Sequence, residues 1–177
     1  MGSTSILTDW VENVGGDRVE VKSVVPEGVD PHSYKLGAKD ISVISDSDIV
    51  FVVGLGYEES WLAKLLSNDD DINLVELGTF ITPVKSSNEH QHGHGHGEEH
   101  DEDEEHDEHE KHDEDEEHEA EKKYDDPHFW FDPGRVAVLI DVIADELTAL
   151  DVASSDYYNQ NASVYKEKVA EMDSYVM

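Results

Sequence analysis

No cysteine occurs among the 177 residues. That excludes disulfide stapling and thiolate metal sites, but it leaves the compartment open, since an exported protein need not carry disulfides. Positive charge is scarce: 12 Lys and Arg stand against 44 Asp and Glu, giving a formal charge of −32. A chain this acidic repels phosphate backbones and anionic bilayers, which argues against nucleic acid or a membrane surface as partner. No apolar run approaches the ~18 residues that a membrane-spanning helix needs. No signal-peptide pattern is visible either. Met1-Gly2-Ser3 leads straight into a helical pattern, which reads as a start that replaces a lost leader.

The charge is concentrated. Residues 86–124 hold 18 acidic and 3 basic side chains and almost nothing apolar, so this stretch cannot offset its ordering entropy by burial. It reads as a disordered His- and acid-rich insertion in a folded body of residues 4–85 and 125–150, with a final segment at 152–177. The body is itself acidic, which a salt-adapted source would explain; an acidic protein of an ordinary organism is the plain alternative.

Within the body, Leu7, Trp10, Val11 and Val14 share one helical face, which Gly15-Gly16 ends. Val19–Val25 alternates like a strand, Lys39–Ser45 reads as a short helix, and Asp48–Val53 is a buried strand. Gly54-Leu55-Gly56 leads into a helix through Trp61, Leu62, Leu65 and Leu66, and Ile72–Leu77 is a third strand. After the insertion, Val136, Leu139, Ile140, Ile143, Leu147 and Leu150 form a helical stripe with Asp132 as N-cap and Pro133 at the first position. Strands alternating with helices predict an α/β layer with a mostly parallel sheet, whose ligands sit at the carboxyl ends of the strands. Tyr158, Ala162, Tyr165, Val169, Met172 and Val176 predict a long amphipathic helix that reaches Met177 with no stop signal, as a helix cut short would.

Two segments echo each other: Asp30-Pro31-His32-Ser33-Tyr34 and Asp126-Pro127-His128-Phe129-Trp130. Each places an imidazole behind a rigid Pro, with a carboxylate two residues earlier. Imidazoles brought together from two loops begin a zinc or manganese site, and each Asp can take the second ring N–H or ligate directly. A pair of ordinary turns carrying surface histidines is the plain alternative. The insertion holds His90, His92, His94, His96, His100, His106, His109, His112 and His118. Imidazoles at alternate positions among glycines and carboxylates predict several weak divalent-ion sites, with zinc, nickel or copper favoured over manganese.

Other chemistry is missing. Gly54-Leu55-Gly56 lacks the third glycine and acidic partner of a dinucleotide fingerprint, and there is no phosphate loop, nucleophile elbow or His-Glu-x-x-His helix. A metalloenzyme would need a third ligand and a general base near His32 and His128, and the sequence designates neither. The expectation is a binding protein, not an enzyme.

Six stretches together resemble the metal-binding solute-binding proteins of ABC-type zinc and manganese importers. They are Thr4-Ser5-Ile6-Leu7, Val14-Gly15-Gly16-Asp17, Val25–Tyr34, Ser47–Phe51, Gly54-Leu55-Gly56-Tyr57-Glu58 and Asp126–Pro133. The resemblance implies an extracytoplasmic, often lipid-anchored receptor of two α/β lobes joined by a long helix, with the metal in the cleft. His32 and His128 would then be the two ligands of the first lobe, and the His-rich loop would resemble that of the zinc-specific branch. The cargo implied is Zn2+, with Mn2+ as the alternative, and the partner implied is the importer's membrane permease. The sequence departs from the pattern at Lys35, where an acidic residue is usual. The opening strand is missing ahead of Thr4 and the second lobe after Met177. This chain would supply half a cleft site, to be completed by the missing lobe, water, loop residues or another chain. A metal-buffering or adhesin-like surface protein that uses the loop alone is the competing reading.

Overall fold

The computed structural model describes residues 1–58, 61, 62, 65, 72–85 and 125–176. Met1–Val84 and Asp125–Met177 form one compact unit. The nine loop histidines from His90 to His118, and Leu66 of the predicted helix, lie outside the described residues.

The fold is arranged about β1, Val50–Val52, every residue of which is buried. Phe51 and the following Val53 enter one core with Leu7, Trp10, Phe129, Leu139 and Ile143. Val50 and Val52 enter a second core with Val24, Ile44, Trp61 and Leu65. A strand buried on both faces belongs to a sheet covered by helices on both sides. β2, Leu74–Glu76, pairs with β1 in parallel, with Phe51 opposite Val75. The predicted α/β class with parallel pairing is therefore present, though each strand is shorter than its apolar run.

Two expectations are corrected. Val19–Val25 does not form a regular strand; it bridges only at Ser23, because its neighbour on that side is the short segment Met1–Ser3. Nor does the chain open directly on a helix. Gly2 forms parallel bridges to both Ser23 and Phe51, its N–H donating to Lys22 O while its carbonyl accepts from Val24 N–H. Only glycine fits there, since a Cβ would stand 2.6 Å from the backbone nitrogen of Thr8.

α1, Ser5–Gly15, starts on Thr4, whose hydroxyl accepts from Leu7 N–H, and buries the predicted Leu7, Trp10, Val11 and Val14. α2, Ala38–Ser45, buries Ile44. β3, Val84–Lys85, and β4, Asp125–Asp126, form a two-stranded sheet. α3, Pro133–Leu150, starts as read: the Asp132 carboxylate accepts from Gly134 N–H at 2.9 Å and Arg135 N–H at 3.2 Å, and Pro133 leads the helix.

The last helix, α4, spans Ser155–Val176, about 33 Å at the usual rise. Its first half is docked. Tyr158 and Ala162 are buried, Asn161 donates its amide N–H to Val14 O at 3.0 Å, and Tyr165 donates its hydroxyl to Asp9 at 2.6 Å. Its far end carries Met172 and Tyr175 at 67% and 80% exposure. One helix thus passes from core packing into open surface.

Candidate metal site

The loops that follow Val25 and β1, together with the turn ahead of α3, supply the site. Asp30 and Asp126 build the same local turn: the His32 N–H donates to Asp30 Oδ1 at 3.0 Å, and the His128 N–H to Asp126 Oδ1 at 2.9 Å. In each case the Pro between them fixes φ, so the His is delivered at a set angle. The two imidazoles, 96 positions apart in the chain, meet with ring centroids 6.2 Å apart.

Their surroundings differ. His128 Nδ1 lies 2.8 Å from Asp126 Oδ1. A nitrogen facing a carboxylate carries the proton, which leaves Nε2 with its lone pair free for a metal. The backbone N–H of His128, and then its ring, hold the Asp126 carboxyl below the usual carboxylate range. The ring of His32 has no hydrogen-bond partner among the described residues, and its contacts there are aromatic: Tyr57 at 4.7 Å and His128.

Tyr57 is a functional candidate that no sequence pattern singles out by itself. It is buried, and its ring also meets His128 at 6.0 Å and Trp130 at 5.4 Å, both nearly perpendicular. It is carried by an unusual turn in which Gly54, Leu55 and Gly56 all have positive φ, at 75°, 54° and 84°. For Leu55 that conformation costs on the order of 1 kcal/mol. The turn is held by Glu58, 1% exposed, whose Oε1 accepts from Ser3 Oγ–H at 2.6 Å and Val53 N–H at 2.8 Å, and whose Oε2 accepts from Gly54 N–H at 3.0 Å. Burial pushes the Glu58 carboxyl above its ordinary value, although these donors oppose the shift. Burial also raises the Tyr57 phenol, with the Glu58 and Asp30 charges adding to it. The signal for both residues was the glycine pair followed by an acid directly after a wholly apolar strand.

Among the described residues, no group of three or more His, Asp or Glu side chains is placed to hold an ion. A cavity of about 570 Å³ lies elsewhere, lined by Val19, Lys22, Asp48, Ile49, Leu147 and Tyr158, and contains neither His. It sits by the amino end of β1, away from the ligand-bearing edge, and the chemistry favours the two-histidine cluster.

Comparison with known proteins gives a consistent result. The family model described as zinc-uptake complex component A, periplasmic, matches residues 1–177. The manganese-binding lipoprotein MntA of Halalkalibacterium halodurans is 30% identical over 174 residues, covering 98% of this chain and 47% of that protein. A crystal structure of ZnuA superposes with a TM-score of 0.72 at 25% identity, covering 98% of this chain and 55% of that one. A manganese-bound periplasmic metal-binding protein from Candidatus Liberibacter asiaticus gives 0.70 at 25% identity, covering 94% and 51%. This chain spans about half the length of the relatives that it matches.

Proposed function

The chain belongs to the family of periplasmic zinc-uptake component A, and we propose that it is the first lobe of an extracytoplasmic receptor that captures Zn2+ for an ABC importer's permease. The observation that carries this reading is the pair His32 and His128, brought from separate loops to one strand edge at 6.2 Å. An ion bound at about 2.1 Å by one nitrogen of each ring, at a tetrahedral angle, sets the ring centroids roughly 5 Å apart. The observed spacing closes to that value with a movement of about 1 Å, within reach of side-chain rotation at exposed positions. His128, its proton held by Asp126, is the fixed ligand; His32 is the one that moves.

Two protein ligands leave two positions of a tetrahedral ion open. In this reading a second lobe, reached along α4, completes the set. The exposed end of α4, carrying Met172 and Tyr175, is the segment that would continue towards it. The His-rich residues 86–124 gather ions weakly and raise the local ion supply to the two-histidine site. Substrate capture and release, rather than bond chemistry, is the activity.

Manganese is the second reading, favoured by the relative named as a manganese-binding lipoprotein. Two imidazoles and a His-rich loop favour zinc, because nitrogen ligands bind it more tightly than manganese. Zinc and manganese calorimetry on this chain, beside a version lacking residues 89–121, tests the choice. Zinc is expected to fill several weak sites plus one tighter one, and the deletion to spare only the tighter one. If the deletion removes all zinc binding, the protein is a metal-buffering loop on a scaffold; if manganese binds the remaining site more tightly, the cargo is manganese.

The Asp126–His128 bond gives a finer prediction. Replacing Asp126 with alanine frees the ring to choose either tautomer and any rotation, and is expected to weaken zinc binding by about tenfold or more. Chelator competition measures this, and an unchanged affinity would remove Asp126 from the site.

A further inference from the structure

We propose that Tyr57 is a positioning residue of the two-histidine site: a buried aromatic wall, not a ligand, that holds the His32 ring in place before the metal arrives. The inference rests on the zinc-binding reading above and adds to it a residue that His spacing does not reveal. The two imidazoles are unequally held. Asp126 fixes the ring of His128, whereas the ring of His32 is exposed and lacks a hydrogen-bond partner among the described residues. What limits it is Tyr57, at 4.7 Å and an interplanar angle of 64°. The same ring meets His128 and Trp130 nearly at right angles, so one side chain touches three members of the cluster.

Tyr57 cannot easily move away. It closes a turn with three consecutive positive φ values, and the next residue, Glu58, ties that turn to Ser3, Val53 and Gly54 through a buried carboxylate. A conformation disfavoured at Leu55 persists only where its surroundings over-determine it. Here the outcome of that constraint is the placement of one aromatic ring against both candidate ligands. Edge-to-face contacts of this kind carry enough energy to change the population of a surface rotamer several-fold. A ligand kept within about 1 Å of its bound position spares the ion most of the work of ordering it.

The test is histidine-ring NMR of the full chain titrated with zinc, with His32 and His128 resonances assigned by substitution. In the wild-type chain without metal, a cross-relaxation contact between the Tyr57 and His32 rings is expected; its absence overturns the proposal with no mutation needed. Tyr57→Leu is expected to raise the zinc midpoint of His32 and His128 about five- to tenfold while the loop histidines titrate as before. Tyr57→Phe, which keeps the wall and loses only the hydroxyl, is expected to restore the wild-type midpoint. A Tyr57→Leu midpoint equal to wild type overturns the proposal, and so does failure of Tyr57→Phe to restore it, which would make the hydroxyl a ligand. If wild-type His32 and His128 ignore zinc altogether, the site reading itself fails. That outcome is distinct, because the Tyr57–His32 ring contact would still be seen.

Discussion

Replacing His32 and His128 together with alanine is expected to abolish the one zinc equivalent that survives deletion of residues 89–121, with no loss of fold. The two rings lie at the surface, His128 at 43% side-chain exposure, so neither fills core volume whose loss would confuse the result. A single imidazole leaves three of four positions on a tetrahedral ion to water, and binding at that level does not compete with hydration of the free ion at useful concentrations. Each single substitution is therefore expected to look nearly as severe as the double. Calorimetry on the four variants reads this directly, with circular dichroism as the control for folding. If the double variant keeps its zinc, the cluster at the strand edge is aromatic packing and the metal chemistry belongs to the loop. That result would favour the buffer reading over the proposed receptor reading.

Much of the frame was legible because it depends on local rules. The α1 stripe of Leu7, Trp10, Val11 and Val14 and the Asp132-Pro133 start of α3 are set by period and capping, and both stand where the pattern puts them. The Asp-Pro-His repeats could be singled out for a similar reason: a short rigid segment behaves alike in both places, and both form the same turn. The misses depend on partners. Val19–Val25 alternates as a strand should, but a ladder exists only as far as its neighbour runs, and here Met1–Ser3 supplies a single bridge. Gly54-Leu55-Gly56 lacks a nucleotide fingerprint and carries part of the family resemblance, but its use in the fold is to turn the chain so that Tyr57 meets the histidines. No period in the sequence encodes a contact between residues 57 and 128.

Within the candidate site the labour is divided. Local turns deliver each histidine, Asp126 fixes one ring, and a strained turn with a buried acid sets the wall beside the other. The acid is the remote element, since it joins Ser3 at the start of the chain to the loop bearing Tyr57. Loss of that joint should cost the whole unit stability, not only the site.

Glu58→Ala is accordingly expected to destabilise the protein by about 3 kcal/mol or more in urea unfolding at neutral pH, because it strands three donors at once. The Ser3 hydroxyl and the Val53 and Gly54 N–H groups lose their acceptor within a buried region. Ser3→Ala removes one donor and leaves the carboxylate its two backbone partners, so its cost is expected to be smaller, about 1–2 kcal/mol. In the double variant the two costs should fall well short of additive, since both report one bond. The pH dependence has a definite sign. Burial raises the Glu58 carboxyl above its ordinary 4.5, so the folded protein holds that proton to higher pH than the unfolded chain does. The contribution to stability is full below that ordinary value and is lost as pH rises through the folded one. The stability gap between the wild type and Glu58→Ala should therefore narrow as pH rises from about 4.5. A gap that instead widens over that range would mean that the three donors outweigh burial and hold the carboxylate ionised, making the joint a charged anchor from the start.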